Sequence, residues 1–329
     1  MAHNNASSNV GNLRQVLMSA FGSSPLRAYA ALSLTMAFWA SNAIVGRAMR
    51  DSIPPFTLAF SRWAVALSIL GPFAVKRVIV DWPRVRRSWR TILFLGLVGV
   101  AAFNGFLYSG LQYTTATNGV LLQATIPALV LLTGSMVFGD RPPAGQLMGV
   151  VLSTFGVVVI VFRGDLATAL TLKLRLGDAL VLCGCVAWAI YTACLRLRPA
   201  LDPLVFLFLT FCVAAAAMAP FAVAELMTQP IVLEPRVLAA FAYLGTFPSV
   251  CAYFLYNAAV TRLGSGAAGQ TISLMPVFGA LLAASILGEK LYPYYGFGIA
   301  AILGGIALAG LSLRRPSADK RTAGSGADG

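Results

Sequence analysis

Ten apolar segments, each near the length of a membrane-spanning helix, follow one another along almost the whole chain. A spanning helix needs roughly 20 mostly apolar residues. Segments of that kind fall at 28 to 48, 55 to 75, 91 to 112, 116 to 138, 144 to 162, 176 to 195, 203 to 224, 236 to 260, 266 to 287 and 293 to 313. Strands of a membrane barrel would alternate polar and apolar residues, and these runs do not, so helices are the expected spanning element. With 58% apolar and only 11% charged residues, the chain lies far from the balance of soluble domains. The expected fold class is an all-α integral membrane protein with ten transmembrane helices.

The formal net charge of +13 raises nucleic acid as a partner, but that needs bases gathered on a folded soluble face. Here they sit in short loops and tails, the pattern of positive-inside bias, so no nucleic-acid partner is expected. With the N-terminus inside, the cytoplasmic segments hold 16 Lys and Arg, including six from Lys76 to Arg90, and the opposite segments hold 7. Both termini are therefore expected on the cytoplasmic side of a cytoplasmic (inner) membrane, as a multi-pass protein. The five cysteines lie in apolar segments without C-x-x-C spacing and read as small buried hydrophobes. The one histidine, His3, lies in a polar tail that has no uninterrupted apolar core and does not read as a cleavable signal. No metal and no cofactor is expected.

The stretch MVFGDRPPAGQLMG (136 to 149) returns as SILGEKLYPYYGFG (285 to 298), 149 positions later. The same offset pairs Trp39 with Trp188, Arg47 with Arg196, Gly96 with Gly245, Pro127 with Pro276, Asp140 with Glu289, Gly149 with Gly298 and Gly156 with Gly305. One slip is expected, FLYSG at Phe106 matching FLYNA at Phe254 at an offset of 148. Each repeat holds five spans, an odd number, so the second must enter the membrane from the other side. Inverted repeats of this kind characterise secondary transporters with a site near the midplane. The expected division is a polar N-tail 1–27, a first repeat 28–162, a linker 163–175, a second repeat 176–313 and a C-tail 314–329.

The doubled five-span halves resemble the EamA branch of the drug/metabolite transporter superfamily. In each half, a Pro-containing fourth span precedes a Gly-acid-base turn, GDR or GEK, and a Gly-spaced fifth span follows. That resemblance implies ten helices around a central cavity and movement of small metabolites, often outward, with amino-acid exporters well represented. It covers nearly the whole chain apart from the tails.

Candidate site residues follow. Arg62, in LAFSRWAVAL of the second span, is a lone ionisable group within a span and so a functional candidate by default. Either its forked donors hold a substrate carboxylate, or it packs against carbonyls and polar neighbours such as Asn42 or Ser41; both roles stand open. Polar and aromatic candidates for the cavity are Trp39, Asn42, Tyr108, Gln123, Trp188, Tyr191, Tyr253, Tyr256, Asn257 and Gln270, with Asn104, Gln112, Asn118 and Ser273 beside them. Each could instead bond a neighbouring helix. Pro127 and Pro276 read as mid-span kinks that shape the cavity, and the spaced glycines of the fifth and tenth spans as smooth packing stripes. Asp140 and Glu289 read as caps or conformational end-locks at opposite faces, not substrate ligands.

No carboxylate is expected mid-membrane, which disfavours a proton-coupled antiporter of drug cations. No intramembrane histidine, carboxylate pair, G-x-S-x-G or metal-ligand spacing points to an enzyme, and no catalytic residue is expected. No G-x-x-x-x-G-K-[ST] loop points to ATP-driven pumping. The expectation is a monomeric secondary transporter of a small organic metabolite, an amino acid or relative, embedded in lipid and moving its solute outward. A sugar, a nucleotide-type metabolite or a drug as the solute, and a non-transporting membrane sensor or scaffold, are the alternatives.

Overall fold

A computed structural model of the protein describes residues 25–49, 51–114, 119, 122–162, 164–165, 176–229, 231–287 and 292–314. Among the described residues no strand occurs. The first half supplies α1 (Pro25–Ala48), α2 (Pro55–Val80), α3 (Trp89–Tyr113), α4 (Ile126–Phe138) and α5 (Ala144–Val161). The second supplies α6 (Leu176–Cys194), α7 (Pro203–Thr228), α8 (Pro235–Leu263), α9 and α10 (Pro293–Arg314). In α9 two α-helical pieces, Ser265–Gln270 and Met275–Leu287, flank a 3-10 turn at Thr271–Leu274. Eight of these helices are long and apolar enough to cross a membrane. The α4 and α9 helices are the broken pair, their longer α-helical pieces only 13 residues each. A short basic helix, Trp82–Arg87, joins α2 to α3.

Proline writes several of the helix starts. Pro55, Pro203, Pro235 and Pro293 each stand as the first helical residue, where the missing N–H has no intrahelical acceptor to lose. Before α7 the Asp202 carboxylate accepts from the Leu204 N–H at 2.8 Å, an N-cap. The start of α2 has no such side chain of its own. It is capped from the other half of the molecule: Glu225, near the end of α7, accepts from the N–H groups of Phe56 (3.1 Å) and Thr57 (2.7 Å) and from the Thr57 hydroxyl. At the other end of the same helix pair, Arg77 meets Asp202 at 3.1 Å. A polar clasp thus closes each end of the antiparallel α2–α7 pair.

The packing repeats under a two-fold relation between halves. The self-related pairs are α2 with α7 and α5 with α10; α1 packs on α8 and α9 as α6 packs on α3 and α4. Glycines allow the α5–α10 approach, and they meet crosswise. A Cβ on Gly149 would lie 2.4 Å from the Gly305 carbonyl oxygen, and one on Gly156 would lie 2.5 Å from that of Gly298. The chain is an all-α membrane protein of two inverted five-helix repeats, the second threading the bilayer in the opposite sense to the first. We call the end at which α1 begins the near face and the opposite end the far face.

Two features differ from the sequence reading. The expected slip to an offset of 148 in the third span does not persist in the structure. A π-helical turn at Gly96–Ala102 in α3 returns at Gly245–Cys251 in α8, and the helical stretches after them begin at Phe103 and Ala252, all 149 apart. The FLY identity is a chance match one residue out of step. Pro127 and Pro276, expected to kink intact helices, instead stand second in the α-helical pieces that follow breaks, at Ala124–Thr125 and at the 3-10 turn. There a proline removes no helical hydrogen bond.

Candidate functional site

Arg62 sits midway along α2 on its buried face and is 1% exposed. Its Nε donates to the Ser249 hydroxyl at 2.9 Å. Nη1 donates to the Tyr108 hydroxyl at 2.7 Å, to Asn104 Oδ1 at 3.0 Å and more weakly to Asn42 Oδ1 at 3.4 Å. The guanidinium carbon lies 4.5 Å from the centre of the Trp63 ring, a cation–π contact. Every one of these partners is neutral. Among the described residues no carboxylate pairs with Arg62, so a full positive charge is held in the bilayer interior by dipoles alone, a costly arrangement.

The cradle around it depends on the π turns. Widening a helix by one residue per turn frees carbonyls from the i to i−4 ladder, and side chains take them up here. Asn104 donates to the Val100 carbonyl at 2.8 Å and to the Tyr253 hydroxyl at 3.2 Å. Tyr253 in turn donates to the Gly99 carbonyl at 3.3 Å. In α8, the Trp39 indole donates to the Pro248 carbonyl at 3.1 Å, and the Ser249 hydroxyl donates to the Leu244 carbonyl at 2.7 Å. These bonds orient Asn104 and Ser249 so that each presents an oxygen to Arg62.

The two halves then exchange one pair of side chains. Tyr108 donates to Asn42 at 2.9 Å, and Tyr191 donates to Asn257 at 2.8 Å. An offset of 149 carries Asn42 onto Tyr191 and Tyr108 onto Asn257. The same contact is therefore made in both halves with donor and acceptor helix reversed. Related residues also meet across the pseudo-axis: Trp39 and Trp188 in a T-shaped contact at 5.0 Å, and Asn104 with Tyr253.

A narrow cavity of about 50 Å³ reaches Arg62 from the far face. Its mouth is bordered by Gly46, Ile53, Pro55, Leu111, Gln112 and Gly119, and its deeper wall by Trp39, Asn42, Arg62, Phe103, Asn104, Tyr108, Gln123 and Tyr253. On the near side it ends on packed aromatics, with Trp39, Trp188, Tyr253 and Tyr256 at centroid distances of 5.0 to 5.9 Å.

Of the residues singled out in the sequence, Trp39, Asn42, Arg62, Tyr108, Gln123 and Tyr253 are brought to the cavity. Trp188, Tyr191, Tyr256 and Asn257 form the packed layer behind it. Gln270 lies elsewhere, donating to the Gly305 carbonyl of α10 at 2.9 Å. Asp140 stands at the near face, following Gly139 in the left-handed conformation (φ +69°). The N–H of Asp140 bonds the Gly134 carbonyl at 3.2 Å, closing α4 as a Schellman turn. Glu289 and Asn118 lie outside the described residues. Sequence reasoning missed Ser249; its only signal is the Pro-Ser step in GTFPSVC, a proline inside an apolar run where the ladder must break.

A buried cation in a neutral cradle beside a narrow cavity, at the centre of an inverted-repeat helical bundle, is the arrangement of a membrane transporter. The comparisons agree. The chain matches the model of the EamA-like transporter family over residues 26–162 and 175–311, and it belongs to that family. An uncharacterised transporter of Archaeoglobus fulgidus is 32% identical over 79% of this chain and 89% of its own length. A probable terminal-alkyne amino-acid exporter of Streptantibioticus cattleyicolor is 28% identical over 86% of this chain and 91% of its own. A crystal structure 20% identical superposes with a TM-score of 0.71 over 88% of this chain and 98% of its own, a likeness of fold.

Proposed function

We propose that the protein carries a small organic solute bearing a carboxylate, an amino acid or a close relative, outward across the cytoplasmic membrane by exposing the central cavity alternately to each face. The observation that carries this is Arg62: a guanidinium at the cavity wall whose partners are all neutral. A carboxylate accepts the planar fork of arginine bidentately, and it supplies the charge that the cradle lacks. The aromatic and aliphatic wall of Trp39, Phe103, Leu107, Tyr253 and Met275 suits an apolar remainder on the same solute. The outward direction leans on the name of the amino-acid exporter relative. The placement of both termini inside leans on the Lys and Arg asymmetry.

The test is counterflow in proteoliposomes with pooled labelled amino acids and sugars, with and without a pH gradient. Carboxylate solutes should exchange and neutral sugars should not. Movement of sugars alone, or of nothing, would sink the reading.

A second role for Arg62 is supported by its fan of bonds, which joins α2 to α1 through Asn42, to α3 through Asn104 and Tyr108, and to α8 through Ser249. In that reading it is a structural bolt. Arg62→Ala separates the two: transport lost with membrane abundance intact marks the solute site, and loss of both marks the bolt.

A further inference from the structure

At the near face a groove of about 480 Å³ is bordered by Leu195, Arg196, Arg198, Pro199, Ala200, Val260, Thr261, Gly264 and Ser265. The internal symmetry says what it corresponds to. An offset of 149 carries Gly46, Leu111 and Gln112, which border the open far mouth, onto Leu195, Val260 and Thr261, which border this groove. At these three positions, on the corresponding pair of helices α6 and α8, the groove is the two-fold counterpart of the far mouth, and beneath it stand Tyr191, Asn257 and the Trp39–Trp188 packing.

At the edge of this groove, where it adjoins a second hollow lined by Asp140, Gln146 and Arg196, an ion pair joins the two halves. Arg196, just past the end of α6, pairs bidentately with Asp140, which follows α4: Nη1 to Oδ1 at 3.0 Å, and Nη2 to Oδ2. The same guanidinium lies 4.1 Å over the Phe138 ring at the end of α4. Two groups of the first repeat therefore hold one side chain of the second. The pair is about two-fifths exposed on both sides, so it is a weak tie, of the size a conformational equilibrium needs and not one that freezes it.

We propose that this groove is the second mouth of the transport path and that the Asp140–Arg196 pair, with Phe138 beneath it, keeps that mouth shut while the far mouth is open. The proposal rests on transport by alternating exposure and not on which solute is carried.

The test uses full-length protein in membranes, with the five native cysteines replaced and a single reporter, Thr261→Cys at the near mouth or Gln112→Cys at the far mouth, reacted with a membrane-impermeant maleimide. Asp140→Asn should raise the rate at Thr261→Cys about three- to tenfold, the size that an exposed pair with a stacked guanidinium supports. It should lower the rate at Gln112→Cys, because opening one mouth closes the other. The charge-swapped double variant, Asp140→Arg with Arg196→Asp, should bring both rates back toward those of the parent. Unchanged rates in Asp140→Asn would overturn the proposal. So would a rise at both mouths, which signals general loosening, or a swap that restores neither. No solute is needed, so this failure is distinct from failure of the carboxylate reading.

Discussion

At the scale of single residues, the central cation is held by geometry that lysine does not reproduce. A guanidinium reaches Ser249 with one nitrogen and the Tyr108 and Asn104 oxygens with another; an ammonium offers its donors from one point. Arg62→Lys should therefore keep the charge yet weaken carboxylate-solute affinity by about tenfold, a loss of one bidentate bond, and Arg62→Gln should abolish exchange. The measurement is the concentration dependence of counterflow in variants of equal abundance. Equal affinity in Arg62→Lys would mean that only charge matters. Arg62 was conspicuous in the sequence because a charge in an apolar run has few explanations. Ser249 was not, since a serine in a membrane helix ordinarily bonds its own backbone. Only the approach of α2 to the π turn of α8 turns that hydroxyl's lone pair to the guanidinium.

Elements show where local pattern stops being informative. Spans were legible because hydropathy and length determine them in a bilayer. The π turns were not, because the extra residue is stabilised by partners distant in sequence: Tyr253 on the Gly99 carbonyl and Trp39 on that of Pro248. Pro127 and Pro276 were visible as breaks, but which side of each proline the helix would occupy depends on the turn before it. The glycine stripe was legible as a packing surface. Its partner was not, since the crossed pairing of Gly149 with Gly305 and of Gly156 with Gly298 exists only once the halves dock. It carries a prediction with an internal control. In Gly149→Val the new side chain meets the Gly305 backbone, and overpacking of that kind costs about 1–3 kcal/mol. At Gly304, where the nearest atom to a new Cβ is the Leu152 side chain at 3.7 Å, alanine should be nearly neutral. Thermal unfolding of the purified protein, followed by cysteine reactivity, should rank Gly149→Val well below Gly304→Ala. Equal stability would mean that the α5–α10 contact yields to a side chain at Gly149.

For the whole molecule, duplication built the scaffold and left the buried cation on one side. The counterpart of Arg62 is Phe211, packed against Trp63 and Tyr253, so only the first half presents a cation. The acid-base turn, in contrast, is kept in both halves, and its first copy can be read through pH. The Arg196 guanidinium bonded to Asp140 holds that carboxyl below its ordinary value of 3.8, against a smaller opposing effect of burial, and its positive charge adds to the lowering. A carboxyl depressed in the folded state contributes its tie fully above the ordinary value, and the tie is lost as pH falls through the lower one. The other charged groups at this face are Arg141 and Arg198, which line it beside the pair, and Arg262 in the last turn of α8. Nitroxide labels on Ala144 and Thr261, at the ends of α5 and α8 that flank the near groove, should therefore report one unchanged short distance from pH 7.5 down to about pH 5. A longer distance should grow in only below about 3.8, and in Asp140→Asn it should be populated across the whole range. A transition centred near neutrality, or none in either protein, would remove Asp140 from control of that mouth.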